Sequence, residues 1–101
     1  MGNLKRTALL QNYPNPFNPE TWISFVLAEP ADVQIIIYDV AGSPIRTLEL
    51  GNRSAGVYHS KEKAGYWDGK NDAGEALSSG VYFYELRTGG KTSVRKAILL
   101  K

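Results

Sequence analysis

Short runs in which apolar and polar side chains alternate fill most of the chain, and no stretch carries the 3.6-residue period of an amphipathic helix. In Thr21-Trp22-Ile23-Ser24-Phe25-Val26-Leu27 a period of two sets Ile23, Phe25 and Leu27 on one side of a pleated strand and Trp22 on the other. Glu29-Pro30-Ala31-Asp32 breaks that run. A second run from Val33 to Val40 places Val33, Ile35 and Ile37 on one face, and its density of β-branched residues favours strand over helix. Asp39-Val40-Ala41-Gly42-Ser43-Pro44 is turn chemistry, Ile45 to Leu50 predicts a third strand, and Gly51-Asn52-Arg53-Ser54-Ala55-Gly56 predicts its end. Tyr58 to Lys63 is polar and ambiguous, and Tyr66-Trp67 closes a short strand. Val81 to Leu86 is strongly β-prone, and after the turn Thr88-Gly89-Gly90-Lys91 a last strand is predicted from Thr92 to Leu100.

Two connecting segments stand out. In Leu10-Gln11-Asn12-Tyr13-Pro14-Asn15-Pro16-Phe17-Asn18-Pro19 three prolines remove backbone donors and fix φ, so the segment runs extended with Tyr13 and Phe17 free to plug into the body of the domain. Asp68 to Glu75 is rich in residues that accept positive φ or bond their own backbone, and predicts a wide loop. Seven candidate strands separated by turns predict two antiparallel sheets packed face to face, with a small barrel as the alternative. The strand lengths and spacing match the size class of an immunoglobulin-like or fibronectin-III-like β-sandwich. The domain is expected over residues 10–101. Residues 1–9 read as a linker behind an appended start, because Met1-Gly2 looks like a cloning start, which implies a fragment of a longer protein whose export signal, if any, lay upstream.

Composition narrows the function classes. A chain of 101 residues, 43% hydrophobic and 22% charged, has room for one core and little else, so a deep catalytic cleft would compete with that core. The net charge of +2 comes from interspersed acids and bases and leaves no footprint for nucleic acid. One local exception runs from Lys91 to Lys101, with four basic residues and no acidic one, which suits an edge strand that discourages aggregation. Cysteine is absent, which excludes disulfides and thiolate metal sites. No run is apolar enough to span a membrane, so membrane insertion is not expected.

Candidate chemistry is sparse. His59 is the single histidine, so neither a Cys-His pair nor a multi-histidine metal site can be assembled, and Ser60, Ser78, Ser79 and Ser93 lack a nucleophile-elbow context. Asp68, Lys70, Asp72 and Glu75 invite comparison with a calcium loop. Ala73 stands where such a loop needs glycine and Ser79 where it needs a bidentate glutamate, so a plain hairpin loop is the better reading. No catalysis, cofactor or metal is expected. Among the aromatics, Tyr82, Tyr84 and Leu86 share one side of their strand with Phe83 opposite, which leaves Trp22 and Phe83 as the candidate exposed rings for stacking on a polysaccharide.

Four segments together resemble a known family: Gln11 to Thr21 with its Pro-Asn-Pro-Phe-Asn-Pro core, Ile37-Tyr38-Asp39-Val40-Ala41-Gly42, Trp67-Asp68-Gly69-Lys70-Asn71-Asp72-Ala73-Gly74, and Ser79-Gly80-Val81-Tyr82-Phe83-Tyr84. They are similar to C-terminal sorting domains of type IX secretion and to the related immunoglobulin-like domain of flagellar hook-capping proteins. The resemblance implies a secreted or surface-attached bacterial parent protein with a catalytic or adhesive domain upstream, and recognition of this domain by outer-membrane secretion machinery. By motif match the recognised part is Lys96, Ala97, Ile98, Leu99, Leu100 and Lys101, a basic residue before an apolar stretch at the end of the chain. A terminal edge strand suits such recognition because its unpaired donors and acceptors can be extended by a receptor. Two further roles stay open: a polysaccharide-binding accessory module and a structural piece of a hook cap. The chain departs from the family between Gly56 and Trp67, where Tyr58 to Gly65 add residues that a bulge or longer loop must absorb.

Overall fold

The computed structural model describes residues 6–101, and these form nine β-strands and no helix. The strands are β1 (Ala8–Leu9), β2 (Thr21–Ile23), β3 (Phe25–Leu27), β4 (Ala31–Tyr38), β5 (Pro44–Arg53), β6 (Gly56–Tyr58), β7 (Gly65–Trp67), β8 (Gly80–Thr88) and β9 (Lys91–Leu99). The larger layer is an antiparallel sheet in the order β5-β4-β8-β9. The facing layer combines the ladder β1-β3-β6 with the pair β2-β7. Ile23, Phe25, Leu27, Tyr58 and Trp67 from the smaller layer meet Val33, Ile35, Ile37, Tyr84, Leu86 and Leu99 from the larger one in a single buried core. The predicted sandwich is thus the observed architecture.

Its strands differ from the expected ones for local reasons. The run from Thr21 to Leu27 is interrupted at Ser24, where the antiparallel partner leaves the ladder after Tyr58 and rejoins it at Gly65. The added residues are absorbed in this excursion, and the pairing on either side of it stays antiparallel with the same partner. β4 ends at Tyr38, two residues early, because Asp39 Oδ1 accepts from the N–H groups of Ala41 and Ser43 and closes the turn. β5 does not end at Leu50. Val33 pairs with Gly51 and Gln34 with Glu49, so Leu50 is the extra residue of a bulge, Gly51 takes φ 75° to make it, and the strand continues to Arg53. Ala8–Leu9, expected within a linker, pair with Val26 and Phe25 as a first strand. Residues 1–5 lie outside the described residues.

Part of each edge of the larger sheet is covered by the chain itself. Along β9 runs the proline-rich strap. Phe17 N–H donates to the Ile98 carbonyl at 2.9 Å and its own carbonyl accepts from Leu100 N–H at 3.0 Å, a parallel bridge. Asn15 Oδ1 accepts from Ile98 N–H at 2.9 Å, and Gln11 Nε2 donates to the Lys96 carbonyl at 2.9 Å. Along β5 lies the loop after β7: Asp72 N–H donates to the Ile45 carbonyl, Asp72 Oδ1 accepts from Thr47 N–H, and Arg46 Nη1 meets Asp68 Oδ1 at 2.8 Å. Burial pushes the Asp68 carboxyl up, but hydrogen bonds from Arg46 and from the Lys70 N–H, with the guanidinium charge, outweigh it and hold the group below its ordinary value.

The strap is fastened to the core at three points. Phe17 is buried and packs on Trp67 at 5.1 Å between ring centroids, and Trp67 meets Tyr82 edge-on. Buried Asn12 donates to Thr21 Oγ1 and to the Pro14 carbonyl, which also accepts from Thr21, so both ends of the proline-rich segment are tied together. Buried Tyr84 donates its hydroxyl to the Leu10 carbonyl at 2.9 Å and accepts from Asn12 N–H at 2.8 Å. Burial pushes the Tyr84 hydroxyl up to about 12.

Two stability measurements check this arrangement. Tyr84→Phe leaves the Leu10 carbonyl and the Asn12 N–H without that partner and should cost about 1–3 kcal/mol in urea unfolding at neutral pH. Because the folded value of Tyr84 lies above the unfolded one near 10, its contribution is complete below about pH 10 and is lost as pH rises toward 12. The wild type should therefore lose more stability over that interval than Tyr84→Phe, and equal losses would contradict the burial of this hydroxyl. For Asp68 the sign is reversed: stability is present above its unfolded value near 4 and is lost as pH falls through the lower folded value. Asp68→Asn should cost about 1 kcal/mol at neutral pH and flatten the acid limb, as measured by thermal unfolding between pH 6 and roughly pH 2.

Candidate functional site

The candidate recognition strand divides into core and surface. Ala97 and Leu99 are fully buried, with Leu99 0% exposed, so they belong to the sandwich interior. Ile98 is half-buried on the outer face, where it pairs with Val81. Lys96, Leu100 and Lys101 are exposed, and Lys101 N–H donates to Ser79 Oγ at 2.9 Å. The edge at this end is not an open row of donors and acceptors, since the Lys96 carbonyl, both backbone groups of Ile98 and the Leu100 N–H are taken by the strap. A partner therefore meets the side chains of Lys96, Leu100 and Lys101 rather than a free ladder.

The two candidate stacking rings do not form one platform. Thr21 and Ile23 point into the core, which turns Trp22 onto the outer face of the smaller layer. Tyr82 and Tyr84 point into the core from the other side, which turns Phe83 onto the outer face of the larger sheet, between Tyr38 and Lys96. Trp22 and Phe83 thus stand on opposite sides of the sandwich, both half-buried. Tyr66, which is not among the two rings expected from the sequence to be exposed, is 45% exposed. It lies cross-strand from Trp22, and its hydroxyl, pushed above its usual value by the hydrogen bond to Glu20 and then by burial, sits 2.9 Å from that carboxylate. The signal available in the sequence was the alternation itself: with Trp67 inward, Tyr66 must point outward.

His59 has a partner that none of the serines singled out from sequence provides. Its Nδ1 lies 2.9 Å from Ser24 Oγ, which faces the excursion between β6 and β7. Ser24 is 0% exposed, so its hydroxyl cannot meet a substrate, and the pair works as a latch holding the excursion onto β2 and β3. The carboxylates of the wide loop diverge. Asp68 faces Arg46, Asp72 faces β5, and Glu75 accepts from Asn71 Nδ2 at 2.8 Å, so the loop is stapled to the sheet edge rather than folded round a cation. Among the described residues no group of three His, Asp or Glu side chains is placed to hold a metal ion. One open hollow of about 660 Å³ lies at the end of the larger sheet, beside Asp32, Glu49, Arg87 and Lys91. Its acids are already engaged, Glu49 by Gln34 and Asp32 by Asn52.

The segments that carry the family resemblance come together in space. Phe17 of the proline-rich motif packs at a tilt against Trp67, and Gly69 stands so close to the Pro19 carbonyl that an added Cβ would come within 2.4 Å of its oxygen. Tyr82 completes the cluster against Trp67. The model of the FlgD Ig-like domain matches residues 15–91, which spans these contacts. No curated protein matches the chain. Among solved structures, the chain is similar to FlgD from P. aeruginosa, at 29% identity and a TM-score of 0.59, covering 75% of this chain and 56% of that one. Dimeric latent PorU from Porphyromonas gingivalis superposes with a TM-score of 0.69 at 17% identity, over 99% of this chain and 10% of PorU. PorZ, described as an essential bacterial surface component of the type-IX secretion system of the same organism, superposes with a TM-score of 0.59 at 19% identity, over 90% of this chain and 11% of PorZ. The chain thus spans about half the length of the FlgD structure and about a tenth of PorU and of PorZ. Its matched residues, its sandwich and the meeting of its motifs place it in the FlgD Ig-like domain family.

Proposed function

We propose that this domain is a non-catalytic sorting and anchoring module of a longer exported bacterial protein, recognised at the cell surface by outer-membrane secretion machinery through the exposed side chains at the end of β9. The observation that carries the reading is the agreement of nearly the whole chain with a domain-sized part of PorZ, a surface component of the type-IX system, together with motifs typical of sorting domains. Lys96, Leu100 and Lys101 supply the contact: two ammonium groups flank an exposed leucine on a frame held rigid by the strap. Basic groups on a rim steer an encounter with an acidic partner surface, and the apolar side chain contributes the buried contact. The parent protein is then secreted or surface-attached, and whatever domain precedes this one is the cargo.

A second reading, a structural spacer as in a hook cap, is favoured by the match of the family model and by the likeness to FlgD. The two readings separate in one experiment. Fused behind an exported reporter in a type IX-competent cell, the intact domain should carry the reporter to the surface. Removing Lys96 to Lys101 is a poor control, because it strips Ala97 and Leu99 from the core. The combined variant Lys96→Glu, Leu100→Ser and Lys101→Glu alters only exposed side chains and should leave the reporter in the periplasm with the domain still folded. Surface delivery unaffected by that variant would defeat recognition through these residues. Failure of the intact domain to move the reporter would favour the spacer.

A further inference from the structure

On the outer face of the smaller layer three aromatic rings from neighbouring segments stand in a row. Tyr13 bridges cross-strand to Trp22, and Trp22 pairs with Tyr66, with ring centroids 6.3 Å and 5.6 Å apart. Cross-strand aromatic pairs steady a sheet, and that would account for Tyr13 and Tyr66 standing beside Trp22. It does not account for the exposure of Tyr66 or for what frames the row. Tyr66 is 45% exposed and its hydroxyl is held by the Glu20 carboxylate. The Lys61 ammonium stands 4.2 Å from the centre of a Trp22 ring, and the Tyr13 hydroxyl donates to the His59 carbonyl.

Every ring in the row is thus edged or faced by a charged or hydrogen-bonding group. The centre of a protein–protein interface is depleted of charged residues, and an apolar partner would have to desolvate Glu20 and Lys61. A pyranose asks for the opposite arrangement: its flat C–H face lies on an aromatic ring while its hydroxyls reach donors and acceptors around the rim. We propose that Tyr13, Trp22 and Tyr66 form a binding face for a neutral pyranose chain, with Trp22 and Tyr66 as the stacking rings and Glu20 and Lys61 as the groups that bond its hydroxyls. Lys61 sits on the exposed excursion between β6 and β7, and an exposed cation–π contact is weak enough for a sugar ring to displace it. The ammonium then serves as a donor at the rim. The residues added between Gly56 and Trp67 thereby acquire a use, since they deliver Lys61 to the row. The face lies on the opposite side of the sandwich from Lys96, so glycan binding and the proposed sorting contact are independent.

The probes are β-linked glucans and chitin, whose equatorial substituents leave flat apolar faces. The whole chain is run by affinity electrophoresis through hydroxyethyl cellulose, tested for retention on insoluble cellulose and chitin, and titrated with cellohexaose while tryptophan emission is followed. Trp67 is fully buried, so an emission change reports Trp22. The expected result is binding to at least one probe that weakens about tenfold in Trp22→Ala and in Tyr66→Ala and is unchanged in Phe83→Ala. Tyr66→Ala removes a surface ring and decides the matter if Trp22→Ala fails to fold. No binding to any of these probes overturns the proposal, as does binding that survives Tyr66→Ala. Self-association abolished by Tyr66→Ala, without glycan binding, would also overturn it and give the face to a second copy of the chain.

Discussion

The pairing of the proline-rich strap with β9 is the contact on which the rest of this small sandwich depends. An edge strand with open donors and acceptors invites association, and a segment with three prolines is a poor partner because proline has no N–H to give. The chain meets the shortage with side chains. Asn15 accepts from Ile98 and Gln11 donates to Lys96, while Phe17, a residue between prolines that keeps its N–H, makes the two backbone bonds. The alternation of asparagine, proline and phenylalanine in this motif is the pattern needed to cover an edge with an extended segment that cannot zip onto it residue by residue.

Other features follow from that closure. Phe17 brings the strap onto Trp67, and the tight approach of Gly69 to Pro19 brings the wide loop with it. The loop in turn reaches β5 through Asp68 and Asp72, so the two ends of the larger sheet are secured by segments that touch each other. With its ladders covered at these places and its histidine hydrogen-bonded to a buried serine, the domain presents side-chain surfaces there rather than open ladder groups. Recognition at Lys96, Leu100 and Lys101 and stacking at Trp22 and Tyr66 are both readings of such surfaces.

Alternation makes the core legible in the sequence. Val33, Ile35 and Ile37, and Tyr82, Tyr84 and Leu86, face inward as their period of two requires, and Phe17 plugs into the body as a ring on a stiff segment should. Local irregularities were not legible. Gly51 reads as a stop in sequence but serves a bulge within a continuing strand, and a two-residue strand such as Ala8–Leu9 carries no pattern at all. The candidate surface suffered more, because it depends on long-range placement. Trp22 and Phe83 look equivalent along the chain and lie on opposite faces, and the edge of β9 looks open until residues some eighty positions earlier are laid across it.

Native-state amide hydrogen exchange on the folded chain tests the closure most directly. If the strap is part of the sandwich, the amides of Phe17, Ile98 and Leu100 exchange through the same global opening as the β4–β8 ladder and are protected to a comparable degree. Exchange of these three at the rate of an exposed loop, with β4 and β8 still protected, would show that the strap lies loose and that the edge of β9 is open.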